Sequence, residues 1–272
     1  MTTNASMRRV RGFTLVEAVV VIVISGIVFA AVAVFIQKPV QGYYDTTRRA
    51  ELSDAADTAL RRLTRDLRLA LPNSVRVSGN FIEFLITSGG GRYRAEPTST
   101  GTGDILDFNA TSGDGSFDVI GPPPPLAAGN QIVVFNLGTG FAGADAYQSA
   151  GNNRAAFGSL AGSTITLAAL KRFPFDSPGR RFHVVEHAVT YQCDLASGTL
   201  QRYWNYGINA VQVTPPSGGS KARLASNVTG CSFLYDPNEL SQRYGIVRIQ
   251  LALSRDGETV NLFAQAHVPN IP

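Results

Sequence analysis

The longest apolar run in the chain lies at its start. From Phe13 to Ile36 the only ionisable side chain is Glu17. In a helix this stretch rises roughly 36 Å, enough to cross a hydrocarbon core. From Leu52 onward the pattern changes to a single greasy face. Leu52, Ala56, Ala59, Leu60, Leu63, Leu67, Ala70 and Leu71 recur at three- and four-residue steps. Arg48, Arg49, Asp54, Arg61, Arg62, Arg65 and Arg68 lie largely off that stripe and read as a solvated face. Pro39 falls inside the pattern, where it kinks a helix, and Pro72 ends it. The spacing predicts one nearly continuous helix over 13–71: a membrane half (13–36), apolar all round, then an amphipathic half (37–71).

After residue 71 the pattern is that of strands and turns. Residues 75–77 and 81–86 flank Gly79-Asn80, a hairpin signal. Short strands are predicted at 105–108, 117–120, 132–137, 165–170 and 232–235, the last just before Asp236-Pro237. Hairpins join 181–193 to 199–206 across Ser197-Gly198, and 246–253 to 259–266 across Asp256-Gly257. Gly89-Gly90-Gly91 reads as a loop, and the prolines of 122–125 as an extended connector. Residues 138–154, rich in Gly, Ala and Asn, read as a long loop and the best candidate for a mobile surface feature. The expected fold class is α+β, a long N-terminal helix packed on an antiparallel β-rich head over 72–272.

Charge removes one class of partner. The formal net charge is +4, but Arg8, Arg9 and Arg11 lie ahead of the apolar run. Residues 13–71 carry seven basic and six acidic groups, and residues 72–272 carry 14 of each. No basic stripe remains for phosphate contacts, so nucleic acid is not an expected partner. Arginines flanking an apolar span stay on the cytoplasmic side, which puts the head across the membrane. There an oxidising compartment favours closure of the two cysteines, Cys193 and Cys231. The bond would close a loop of about 39 residues, valued at around 4 kcal/mol by chain entropy. Two separately buried thiols remain the alternative.

Motifs that carry chemistry elsewhere lack their context here. His183-Val184-Val185-Glu186-His187 matches H-x-x-E-H, which needs a helix to turn both histidines toward one metal. The segment is rich in β-branched and aromatic residues. On a strand Glu186 points away from the face shared by His183 and His187. Gly138-Thr139-Gly140-Phe141-Ala142-Gly143 matches G-x-G-x-x-G, but the residues that follow are loop-like. The pairs Asp104/Asp107 and Asp114/Asp118 read as solvated turn acids, without an EF-type series for calcium. Asn227-Val228-Thr229 is a glycosylation pattern only, and no G-x-S-x-G occurs. No catalytic residue, metal or cofactor is expected.

The order of residues at the start is more specific than its hydropathy. A basic leader (1–12) ends in Gly12, and Phe13-Thr14-Leu15-Val16-Glu17 opens the apolar helix. This resembles the class III signal of type IV prepilins and type II secretion pseudopilins. The resemblance implies that a membrane prepilin peptidase cuts between Gly12 and Phe13 and methylates the amine of Phe13. It also implies an assembly role for Glu17, whose carboxylate would pair with the Phe13 amine of a neighbouring subunit and set axial register. A carboxylate at depth in a membrane helix costs about 2.5–3.5 kcal/mol or more, a default mark of function. Three plainer readings exist: a secretory signal cut after Ala33, an uncleaved anchor, and a capping box in which Thr14 caps and Glu17 reaches back.

Segments of the head extend the resemblance. Leu71-Pro72-Asn73-Ser74-Val75-Arg76-Val77, Val189-Thr190-Tyr191-Gln192-Cys193, Leu224-Ala225-Ser226-Asn227-Val228 and the ending His267-Val268-Pro269-Asn270-Ile271-Pro272 look like those of MshO-type minor pilins of mannose-sensitive haemagglutinin pili. PilW- and GspJ-type subunits are related. One departure is Val34, where many pilins carry a proline. The resemblance implies a non-enzymatic minor pilin, held in the inner membrane by one span with a periplasmic head and then built into a surface fibre, near its tip, in a priming complex. The implied partners are prepilin peptidase, other minor and major pilins, the inner-membrane assembly platform, and membrane lipid before assembly. A J-type minor pseudopilin of a type II secretion system is the alternative.

Overall fold

The computed structural model describes residues 12–149, 152–241 and 244–272, and two compact units divide after Ala50. One helix, α1 (Leu15–Arg68), spans the division and runs through Pro39. Within the first unit its valines, isoleucines and phenylalanines are exposed. Among the described residues it is the helix long and apolar enough to cross a membrane.

Within the second unit the same helix has one buried face. Leu52, Ala56, Ala59, Leu60, Leu63 and Leu67 are all buried, as the stripe predicts. Each buried leucine contributes roughly 1.5–3 kcal/mol. The helix stops at Arg68, three residues short of the expected 71. The Leu69 and Ala70 amides donate to the Asp66 and Leu67 carbonyls, both at 3.1 Å, tightening the last turn. The Leu71 amide then donates to the Leu85 carbonyl at 2.7 Å, so the chain leaves the helix by joining a strand.

The head is built of antiparallel strands. β1 (Arg76–Ser78) and β2 (Phe81–Tyr93) form the hairpin over Gly79-Asn80. They are followed by β3 (Asp114–Ile120), β4 (Gln131–Val134), β5 (Arg154–Ala161), β6 (Thr164–Lys171), β7 (Arg181–Asp194), β8 (Thr199–Trp204) and β9 (Ser220–Ser226). These nine pair in the order β1-β2-β3-β6-β5-β4-β7-β8-β9. A second sheet holds β10 (Val228–Ser241), β11 (Tyr244–Arg255) and β12 (Glu258–Pro269). The fold class is therefore α+β, a long apolar N-terminal helix followed by an antiparallel β-rich head.

An extra pairing of β2 with β7 closes β2-β3-β6-β5-β4-β7 into a ring. Its core holds Tyr93, Phe117, Ile132, Ile165, Phe182 and Val184. β2 and β7 are long enough to serve two layers. Residues 81–86 of β2 pair with 187–192 of β7, contributing Ile82, Phe84, Val189 and Tyr191 to the core under α1. Their other ends enter the ring, beyond register shifts at Ile86–Thr87 and Thr87–Gly89. The second sheet completes the core under α1 with Phe233, Val247, Ile249, Leu251 and Val268. Cys193 of β7 and Cys231 of β10 are joined, with Cα atoms 6.2 Å apart, stapling one sheet to the other.

Several expectations are corrected. Gly89-Gly90-Gly91 lies inside β2, not in a loop. A Cβ on Gly90 would meet the Phe182 carbonyl at 2.7 Å, and one on Gly91 the Phe182 ring at 2.9 Å, so these glycines allow close strand approach. Residues 105–108 are not a strand. The Asp107 amide is taken by the Asp114 carboxylate (2.7 Å) and the Leu106 amide by the Arg94 carbonyl (2.9 Å). β4 ends at Val134, before Phe135 turns to φ 54°. β5 and β9 were not predicted, and β10 extends well beyond 232–235. The described part of 138–154 is only partly at the surface: residues 139–142, 148 and 149 are exposed, and much of the rest packs inward. Asp145, Ala146, Tyr147, Asn152 and Asn153 are buried, and the Tyr147 hydroxyl donates to the Ser74 carbonyl at 2.8 Å.

Candidate functional site

The start of the described chain is geometrically simple. Residues 12–14 are not helical, and Gly12 and Phe13 are exposed, so their peptide bond lies in open backbone. The helix begins with a cap: the Glu17 amide donates to Thr14 Oγ1 at 3.3 Å, and the Ala18 amide to the Thr14 carbonyl at 3.1 Å. That is the Thr14 half of the expected capping box. The Glu17 carboxylate is exposed, and no described residue pairs with it. Its neighbours Phe13, Leu15 and Val16 are 70–81% exposed. The leader, with Arg8, Arg9 and Arg11, lies outside the described residues apart from Gly12.

A second acid on α1, which the sequence reading passed over, has the opposite surroundings. Asp66 is 2% exposed. Its Oδ2 accepts the Tyr191 hydroxyl and Arg202 Nε, each at 2.8 Å, and its Oδ1 faces Arg62 Nε at 3.3 Å. Burial beside this carboxylate pushes the Tyr191 phenol well above its usual range. The group locks α1 to β7 and β8. The signal was present: Asp66 sits three residues after Leu63 and four before Ala70, on the buried stripe.

Two of the scattered head segments, 71–77 and 267–272, meet at one junction. Asn73 Nδ2 donates to the Asn136 carbonyl (2.8 Å) and the Asn270 carbonyl (3.1 Å), and Asn136 Nδ2 donates to the Pro72 carbonyl (2.7 Å). The segment after the helix is thereby tied to the end of the chain. Beside it Arg76 Nε donates to the buried Glu83 carboxylate at 2.9 Å, and its other nitrogens reach the Asn209 and Ala210 carbonyls. Tyr206 donates to the other Glu83 oxygen at 3.0 Å, and the Arg76 guanidinium lies 3.6 Å from the Tyr147 ring centre. Burial pushes the Glu83 carboxyl up, against the pull of Arg76. These arms hold strands and loops together.

The other sequence candidates sit apart from this. His183 and His187 lie on β7, as the β-branched pattern predicts, with Glu186 exposed on the strand between them. Their Nε2 atoms are buried without a partner among the described residues. Burial pushes the His183 imidazole down to about 4, which favours the neutral ring. The G-x-G-x-x-G stretch opens no helix. Gly138 has φ 105°, and a Cβ there would meet the Asn73 carbonyl at 2.8 Å. The four aspartates at 104–118 serve loops rather than solvent alone. Asp118 accepts the Thr164 hydroxyl (2.7 Å), the Asp104 amide and Arg94, which hold it below the usual carboxylate range. Among the described residues no group of three or more His, Cys, Asp or Glu is arranged to hold a metal.

The family model that matches the chain is the prokaryotic N-terminal methylation motif, over residues 7–33. The matched stretch contains Gly12, Phe13, Thr14 and Glu17 and ends inside α1. It supports a type IV pilin-like protein, with the processing by prepilin peptidase and the assembly with other pilins that the motif implies. The apolar helix is consistent with a single membrane anchor, as in such proteins. No curated protein and no solved structure matches the chain.

Proposed function

We propose that this chain is a minor pilin, a non-enzymatic subunit of a type IV pilus of the mannose-sensitive haemagglutinin type. Prepilin peptidase cuts between Gly12 and Phe13 and methylates the new amine of Phe13. The subunit then waits in the inner membrane, residues 13–36 in lipid and the head in the periplasm. The assembly platform draws it into a fibre with other minor and major pilins, at or near the tip, where it takes part in priming. The observation that carries this reading is the exposed carboxylate of Glu17, without a partner among the described residues, just behind the Gly12-Phe13 bond and on the half of α1 whose apolar side chains are exposed.

The physics gives Glu17 its part. Inside lipid or among packed apolar helices its charge lacks water, and a cationic amine on a neighbouring Phe13 would offset that loss. Burial of the apolar half among other helices supplies the non-directional driving force, and the ion pair fixes the register. The head segments around Asn73, Tyr191 and Asn270 favour the haemagglutinin-type pilus over other pilin machines, by their resemblance alone. Mass spectrometry of the amino terminus of the purified protein tests the proposal. The expected species begins at N-methyl-Phe13. An intact Met1, or a new terminus at Val34, would overturn it.

A further inference from the structure

Arg76, Arg94 and Arg202 each meet a carboxylate inside the fold. Arg65, Lys221 and Arg223 are exposed, and among the described residues no acid pairs with them. Arg65 lines a groove between residues 58–68 of α1 and the outer strands β8 and β9. One bay, about 520 Å³, is walled by Thr58, Ala59, Arg61, Arg62 and Arg65 and floored by Leu224. A second bay, about 550 Å³, shares Arg62, Arg65 and Leu224 and continues to Ala222 and Trp204. Of the acids on its lining, Asp66 is saturated, and Glu186 is the remaining one.

The groove runs beside an open sheet edge. β9 ends the nine-stranded order, and among the described residues it pairs only with β8. Its residues 220–223 are all exposed, so their outer amides and carbonyls form an unpaired row. Register fixes the faces. Ala222 lies opposite Arg202 and turns to the groove, whereas Lys221 and Arg223 lie opposite Tyr203 and Gln201 and turn to the other face. A strand added outside β9 would therefore place alternate side chains over Arg62 and Arg65 on one face and beside Lys221 and Arg223 on the other. Both parities meet positive charge.

We propose that the free edge of β9 takes an extended, acidic segment of a partner polypeptide by strand addition. The main chain of the segment completes the β9 ladder, and its carboxylates meet Arg62 and Arg65 on one face and Lys221 and Arg223 on the other. This goes beyond the pilin reading and does not depend on it. Basic residues on an edge also keep like strands apart. That role requires neither the groove nor any binding, and the experiment separates the two.

The full chain in detergent micelles is titrated into a labelled peptide of sequence TDEVDET, which carries acids on both faces of a strand, followed by fluorescence anisotropy. Three comparators are used: TKKVKKT, the acidic peptide with alternate backbone amides methylated, and a single-stranded oligonucleotide of matched charge. Saturable binding of the acidic peptide is expected, weakening about tenfold or more as salt rises from about 50 to about 500 mM. Each comparator should bind at least about tenfold more weakly, because it lacks the charge, the amides or the strand geometry. The K221E/R223E and R65E variants, with unchanged circular dichroism, should lose a similar factor. No saturable binding, equal binding of the methylated peptide, or equal binding of the oligonucleotide would each overturn the proposal. The peptide comparisons use the unaltered chain, so they stand even where a variant fails to fold.

Discussion

Two acids on α1, Glu17 and Asp66, live in opposite conditions. Asp66 is enclosed by the fold, and three groups of the same chain, on Tyr191, Arg202 and Arg62, satisfy its two oxygens. Glu17 stands among exposed apolar side chains with no described partner. The helix around each acid shows the same contrast. Near Asp66 the leucines are covered by sheet, and near Glu17 valines and isoleucines cover nothing. Where the chain supplies the partner, the acid is part of the fold. Where the described residues supply none, a charged group on an oily rod points to something outside the chain.

The contrast breaks most visibly at Glu17. Glu17→Leu is expected to leave the subunit in the membrane fraction, because the span becomes more apolar, and to remove it almost completely from sheared filaments. Immunoblots of the two fractions check this, and wild-type recovery in filaments would show that the acid has no assembly partner. Next in size is Asp66→Ala. It leaves Arg202 buried and uncompensated, so the head should lose about 3–5 kcal/mol. Urea unfolding of the full chain in detergent, followed by Trp204 fluorescence, reads that loss. Glu17→Ala in the same assay should leave the midpoint where it was.

The legibility of the two regions differs for the same reason. The membrane half and the Gly12-Phe13 junction are written locally, in hydropathy and residue order, and need no tertiary partner to be seen. The leucine stripe and the turns at Gly79-Asn80 and Asp256-Gly257 are local as well, and they stand where expected. What escaped is set by neighbours. β5 is an alanine- and glycine-rich strand that reads as loop until β4 and β6 pair with it. The glycines of β2 read as a loop because their purpose, contact with Phe182, is more than 90 residues away in the chain. Asn73, Asn136 and Asn270 were ordinary polar residues in sequence, and only the fold brings them to one junction. Asp66 was visible on its stripe, but its partners on β7 and β8 were not.

A final test asks whether lacking a partner is enough to mark a functional group. Among the described residues the Nε2 of His183 has no partner, as the carboxylate of Glu17 has none, yet His183 sits half-buried within a paired strand. If it is only a cost of packing, it should act through stability alone. Burial holds its folded pKa at about 4, below the ordinary 6.5. Above pH 6.5 the ring is neutral in both states and the fold is unaffected. As pH falls from 6.5 toward 4 the unfolded chain takes up a proton that the folded chain refuses, so stability is lost through that window and levels off below it. The loss between pH 7 and pH 5 is about 2 kcal/mol. His183→Gln should remove that part of the acid sensitivity in urea unfolding at the two pH values and leave filament incorporation unchanged. A filament defect with unchanged stability would reverse the assignment, and would make His183 a contact of the assembled state rather than a silent member of β7.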